Sequence, residues 1–154
     1  MKKIELRQLV REEISKILKE EKKRSIFTSR NIEGRKKTHI EQINQRIQDY
    51  IKGGSQGDLD LRNTPIISLP NNLTKVGGLL DLSGTPITSL PDNLTKVEGD
   101  LDLTNSLITS LPDNLKVGGH LNLRKTPLST KYSKDEIRKM IEDKGGDVKG
   151  DIFI

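Results

Sequence analysis

Cysteine is absent from all 154 residues of this chain. That absence excludes a disulfide framework, a thiolate zinc site and a cysteine nucleophile, and it suits a reducing interior. Tryptophan is missing too, and tyrosine and phenylalanine occur twice each. The basic residues therefore lack the aromatic platform on which single-stranded nucleic acid stacks. No apolar run of about 18 residues occurs, and the opening "MKKIELRQLVREEI" is charged throughout, without the apolar stretch of a secretory signal. Neither a membrane span nor a signal peptide is expected. Apolar residues make up 31% of the chain, which places part of it outside any core.

The net charge of +5 is unevenly spread. Residues 1–56 carry 15 Lys/Arg against 8 Asp/Glu, residues 57–128 carry 6 against 8, and residues 129–154 carry 6 of each. The basic excess belongs to a leading segment, and the body is slightly acidic.

That body repeats itself. The pairs Leu59/Leu61, Leu80/Leu82, Leu101/Leu103 and Leu121/Leu123 recur at intervals of 21, 21 and 20, the shorter step arising where "NLTKV" becomes "NLKV". Each pair is followed by a hydroxyl residue (Thr64, Thr85, Ser106, Thr126) and an aliphatic one (Ile66, Ile87, Ile108, Leu128). Leu69, Leu90 and Leu111 come next, each before a proline, then Leu73, Leu94 and Leu115, and the valines Val76, Val97 and Val117. Self-similarity at this period signals a solenoid. Six aliphatic side chains per copy, worth about 1.5–3 kcal/mol each when buried, do not offset the entropy of ordering a whole copy at about 1–2 kcal/mol per residue. The copies must share a core by stacking. The alternating leucines then form a short parallel strand in each coil.

The phrase "LDLSGTPITSLPDNL" resembles the leucine-rich repeat family, particularly its short bacterial variety with "LP" on the convex side, over residues 57–130. The resemblance implies an α/β solenoid: an array of about five parallel strands with helical caps and an N-terminal helical extension. One departure is Thr or Ser where the family commonly has Asn, and a buried hydroxyl at that position is expected to bond backbone of the neighbouring coil. A coil this short leaves no room for a helix on the return side, so extended or turn-like segments are expected there. Some secreted bacterial relatives of this type carry a cysteine-dependent ubiquitin ligase domain, which this chain lacks.

Open solenoid ends expose leucine and strand edges, so caps are expected. Residues 38–56 supply an N-terminal helical cap: Thr38 and Glu41 form a capping box, Ile40, Ile43, Ile47, Tyr50 and Ile51 line one face, and Gly53 and Gly54 stop the helix. Residues 131–154 supply a helix and a final strand, with Ser133 and Glu136 as the box and Ile137, Met140 and Ile141 on the face. "VKGDIFI" echoes "VEGDLDL", which puts Val148, Ile152 and Ile154 at the positions of Val97, Leu101 and Leu103 and predicts a fifth strand.

Residues 1–37 read as a charged amphipathic helix and linker, with Leu6, Val10, Ile14, Ile17 and Leu18 as a stripe suited to docking in a partner groove. Glu5, Glu12, Glu13, Glu20 and Glu21 work against an anionic membrane, and interleaved acids work against nucleic acid. The opening "LRQLVREEI" is similar to N-terminal segments of large tailed-bacteriophage proteins. Head-maturation proteases of that type cut after Leu-x-Glu, a rule that Leu18, Lys19 and Glu20 fit. That resemblance implies a virion-associated location, and the remaining features a cytoplasmic one.

Residues flanking the strand leucines alternate to the concave face. They form three columns: Asp60, Asp81, Asp102 and Asn122, then Phe153; Asp58, Leu79, Asp100, His120 and Asp151; and Arg62, Ser83, Thr104 and Arg124. Asp58, Asp60, Arg62, Asp81, Ser83, Asp100, Asp102, Thr104, His120, Asn122 and Arg124 are the candidate binding residues. A flat ladder of carboxylates does not converge on one ion, so no metal and no cofactor is expected. His39 and His120 are the only imidazoles and neither is placed beside a serine nucleophile. "GGSQG" lacks the Lys-Ser/Thr of a phosphate loop and reads as a helix stop and turn. The expectation is a non-enzymatic protein-binding module without a small-molecule substrate. A virion or head-associated structural protein and a bacterial effector acting by host-protein recognition are the alternatives.

Overall fold

The computed structural model describes Lys19 and residues 39–154. The stripe Leu6, Val10, Ile14, Ile17 and Leu18, the Glu20 of the cleavage rule and the Thr38 of the first capping box lie outside the described residues. The chain divides into two compact units, Met1–Gln42 and Ile43–Ile154. In the first, Lys19 and residues 39–42 are helical and exposed.

Helix α1 is described over residues 39–52; the second unit opens on its part from Ile43 on and continues as a parallel-stranded solenoid. Strands β1 (Leu59–Asp60), β3 (Leu80–Asp81), β5 (Leu101–Asp102), β7 (Leu121–Asn122) and β9 (Ile152–Phe153) pair in that order in one sheet. Their register puts Leu59, Leu80, Leu101, Leu121 and Ile152 in one row and Asp60, Asp81, Asp102, Asn122 and Phe153 in the next. The fifth strand is therefore where the echo of "VEGDLDL" placed it. Each strand stops early because the chain turns through a left-handed residue: Asn63, Gly84, Asn105 and Lys125 all have φ between 55° and 68°, a conformation that Gly and Asn tolerate best.

The return side carries a second parallel sheet of β2 (Lys75–Val76), β4 (Lys96–Val97), β6 (Lys116–Val117) and β8 (Asp147–Val148). Extended segments were expected there, and they pair as well. Between the sheets the aliphatic columns are buried from end to end: Leu61, Leu82, Leu103 and Leu123 are at most 1% exposed, and Val76, Val97, Val117 and Val148 at most 3%. Ile154, matched by sequence to Leu103, is instead 47% exposed, because no strand pairs beyond β9 among the described residues.

The hydroxyl column differs from expectation. Thr64, Thr85 and Thr126 donate to the carbonyls of Leu61, Leu82 and Leu123 at 2.6–2.7 Å, within their own coil and not across to the next. The turn brings the carbonyl three residues back into reach, so the hydroxyl closes the turn. Ser106, lacking the methyl that would fix its rotamer, is buried with no partner for its Oγ.

Coils meet closely at a corner where Gly78, Gly99, Gly119 and Gly150 stack, each N–H after the first donating to the glycine carbonyl before it at 2.9–3.1 Å. A Cβ on Gly99 would lie 2.8 Å from the Gly78 carbonyl carbon and 2.9 Å from the Leu79 nitrogen. Backbone against backbone leaves no side chain to yield.

From Ile43 on, α1 buries Ile43 and Ile47 against the first coil, with Tyr50 and Ile51 partly buried beside them. It ends at Gly53 and Gly54, whose N–H groups reach the Asp49 and Ile51 carbonyls. Tyr50 does more than pack: its hydroxyl donates to the Gly57 carbonyl (2.8 Å) and accepts from the Gly77 N–H (3.2 Å), joining helix, turn and second coil. Burial pushes its phenol upward from the ordinary tyrosine range. After β7 comes a short helix α2 (Pro127–Lys131), then α3 (Lys134–Asp143), which begins in the expected Ser133/Glu136 capping box. Ile137 and Ile141 of α3 are buried, and Arg138 ties the helix down by donating to the Val148 and Gly150 carbonyls at 2.9 and 3.0 Å.

Candidate functional site

The outward side of the five-stranded sheet brings the three expected columns together, one coil apart in each row. In the central column every acidic or amide side chain accepts the N–H of the residue two positions on: Asp60 from Arg62 (3.2 Å), Asp81 from Ser83 (3.0 Å), Asp102 from Thr104 (2.8 Å) and Asn122 from Arg124 (3.3 Å). These are Asx turns. Each holds one oxygen in place and so fixes the direction of the rest of the group.

The second oxygens fare differently along the ladder. Arg62 donates through Nε and Nη2 to Asp60 Oδ2 at 3.0 and 2.8 Å and lies 3.9 Å from Asp81 Oδ2. The guanidinium holds the Asp60 carboxyl below the usual carboxylate range, and the pair raises Arg62 in turn. Asp81 is the most enclosed of the column at 8% exposure, and Ser83 Oγ also donates to its Oδ1 (2.6 Å). Asp102 Oδ2 has no protein partner among the described residues, and Thr104 Oγ1, buried beside it, has none either. Like charges one strand spacing apart repel by about 1 kcal/mol even in water. Arg62 relieves that repulsion at one end only.

The preceding column has a structural task that sequence reasoning missed. Asp58 Oδ1 accepts the Leu79 N–H (2.7 Å), Asp100 Oδ1 accepts the His120 N–H (2.7 Å) and His120 Nδ1 accepts the Asp151 N–H (2.9 Å). These side chains stitch one coil to the next. Asp151 pairs with Lys134 at 3.4 Å. A signal was available in the Gly-Asp and Gly-His dipeptides before β1, β5, β7 and β9, where a short acceptor follows the glycine corner; before β3 the residue is Leu79, which has no acceptor.

At the C-terminal end the third column meets an aromatic ring. The Arg124 guanidinium lies 4.6 Å from the centroid of Phe153, and the His120 ring 5.4 Å from it at 48°. The neighbouring second sheet is separately charged: Glu98 pairs with Lys75 (3.1 Å) and Lys96 (2.9 Å), which hold its carboxyl below the usual range. On the return side an apolar cavity of about 160 Å³ is lined by Leu111, Leu128, Tyr132, Ile137, Met140 and Ile141, with Lys144 at its rim paired to Asp113.

Among the described residues no three His, Asp or Glu side chains gather in a metal-holding group, and no helix is long and apolar enough to cross a membrane. Comparison with known proteins finds no matching family model, no matching curated protein and no matching solved structure.

Proposed function

We propose that this chain is a non-enzymatic protein-recognition module of the leucine-rich repeat type, which reads its partner on the outward face of the five-stranded sheet. The observation that carries the reading is the ladder Asp60, Asp81 and Asp102, whose carboxylates stand in register and are oriented by Asx turns before any partner arrives. A group already fixed loses little side-chain entropy on binding. The occupant that suits such a row is an extended or strand-like protein segment presenting N–H donors and cationic side chains, with its charge placed against the unrelieved Asp102.

The structure supplies its own conservative variant for the test. Asn122 occupies the same column and makes the same turn without a charge, so replacing Asp60, Asp81 and Asp102 together by Asn keeps the hydrogen bonds of the Asx turns and gives up those of Asp60 Oδ2 to Arg62. Peptides selected on the full-length chain from a random display library are then measured against this triple variant by interferometry. Loss of binding of about tenfold or more is expected, in line with removing charge-assisted hydrogen bonds. Unchanged binding with an intact thermal melt reduces the face to a solvated surface.

A further inference from the structure

The face is not uniform along the stack, and an internal comparison shows where it is incomplete. Arg62 and Arg124 hold the same position in their coils, two residues after the central column. In the first coil the central residue is Asp60, and its Oδ2 takes the guanidinium at 2.8 Å. In the fourth coil the central residue is Asn122, and the Arg124 guanidinium pairs with no carboxylate among the described residues. It rests instead on Phe153, its central carbon 4.6 Å from the ring centroid, a cation–π contact that takes up none of the guanidinium's hydrogen-bond donors.

Two further donors stand beside it. Asn122 Oδ1 accepts the Arg124 N–H, which leaves its amide Nδ2 as the donor available to a ligand. His120 uses Nδ1 to accept the Asp151 N–H at 2.9 Å, which assigns the ring proton to Nε2. His120 shares the Phe153 ring with Arg124. Of the nearby acids, Asp100 takes the His120 N–H on Oδ1 and Asp151 pairs with Lys134, while Asp102, in register with Asn122, keeps its Oδ2 unpartnered among the described residues and favours a ligand acid seated toward Arg124 and away from the ladder.

We infer that the Arg124, Asn122 and His120 end of the strand face is a carboxylate-binding subsite, which takes an Asp or Glu side chain of the partner protein where Asp60 serves Arg62 internally. This rests on the strand-face reading and gives the partner a polarity: donors and cations over Asp81 and Asp102, an acid over Arg124. A carboxylate accepts the planar fork of arginine in two parallel hydrogen bonds, while the Asn122 amide and His120 Nε2–H supply single donors to its remaining lone pairs.

The experiment uses the same display library on the full-length chain and on two variants, Arg124→Gln and Asn122→Asp. The second installs the carboxylate that the first coil already has, so it fills the subsite from within. Wild-type selections are expected to enrich peptides with Asp or Glu, and changing that residue to Gln or Asn in an enriched peptide weakens binding about tenfold. On both variants the same change costs less than about twofold. Selections without acidic enrichment, or an acid preference that survives in both variants, overturn the inference. Sensitivity to the Asp60, Asp81 and Asp102 triple replacement in that case leaves the strand-face reading standing. Failure to enrich any peptide overturns both. Thermal melts matching wild type confirm that each variant folds.

Discussion

Leu103→Ala places a hole in the middle of the stack, where the physical reasoning is most exposed. Leu103 is fully buried between Leu82 and Leu123 of the adjacent coils, which are equally buried. Its N–H donates to the Asn122 carbonyl at 2.9 Å and the Leu82 N–H to the Asp102 carbonyl at 2.8 Å, so the sheet prevents those coils from collapsing inward. Losing the three terminal carbons forfeits about 0.8 kcal/mol each, and an uncollapsed cavity raises the total to about 3–4 kcal/mol. With a urea dependence of about 1–3 kcal/mol per molar, the unfolding midpoint falls by about 1–4 M. Leu107, four residues on and 52% exposed, is the control: Leu107→Ala is expected to stay within about 0.5 kcal/mol. Because neighbours share the core, amide exchange should accelerate in the coils on both sides. A loss under about 1 kcal/mol, or acceleration confined to the coil of Leu103, would refute a core held in common.

Three other outcomes follow from contacts already described. Tyr50→Phe removes the donor to the Gly57 carbonyl and strands the part-buried Gly77 N–H, for a loss of about 1–3 kcal/mol in denaturant unfolding. Gly99→Ala drives a Cβ to within 2.8–3.0 Å of the backbone of Gly78 and Leu79, and a loss of about 1–3 kcal/mol is expected; an unchanged melting temperature would mean the corner can open. Asp60, Glu98 and Glu136 are all held below the usual carboxylate range, by Arg62, by Lys96 and Lys75, and by the Ser133 N–H respectively. Their contribution is present above the unfolded-state value and fades as pH falls through the folded one, so stability should decline below about pH 4, and Asp60→Asn should flatten part of that decline in an acid titration followed by circular dichroism.

Periodicity made the repeating architecture readable in advance. The leucine, isoleucine and valine columns, the final strand and the Ser133/Glu136 box all rest on spacing, which survives translation into a structure because a coil places equivalent residues in equivalent surroundings. The columns of the candidate site were readable for the same reason. What each column member does was not. Asp58, Asp100 and His120 bond amides 20–31 residues away, and only the backbone approach at the glycine corner turns a solvent-facing acid into a stitch. The threonine hydroxyls were assigned across coils, whereas the turn geometry after Leu61, Leu82 and Leu123 offered a nearer carbonyl. Spacing put Tyr50 on the face of α1 and Phe153 in the central column, but not the Tyr50 hydroxyl's bonds to Gly57 and Gly77 or the Phe153 contacts with Arg124 and His120.

The interval from His120 to Asp151 is 31 residues, against 20 from Asp100 to His120. Yet both sheets continue across it in register, Leu121 to Ile152 and Val117 to Val148. Helices α2 and α3 are thus a detour that leaves the pitch untouched. The rear arc of a coil can be lengthened by about half while the surface in front keeps its spacing, so insertions behind and substitutions in front are independent routes by which such a chain can diversify.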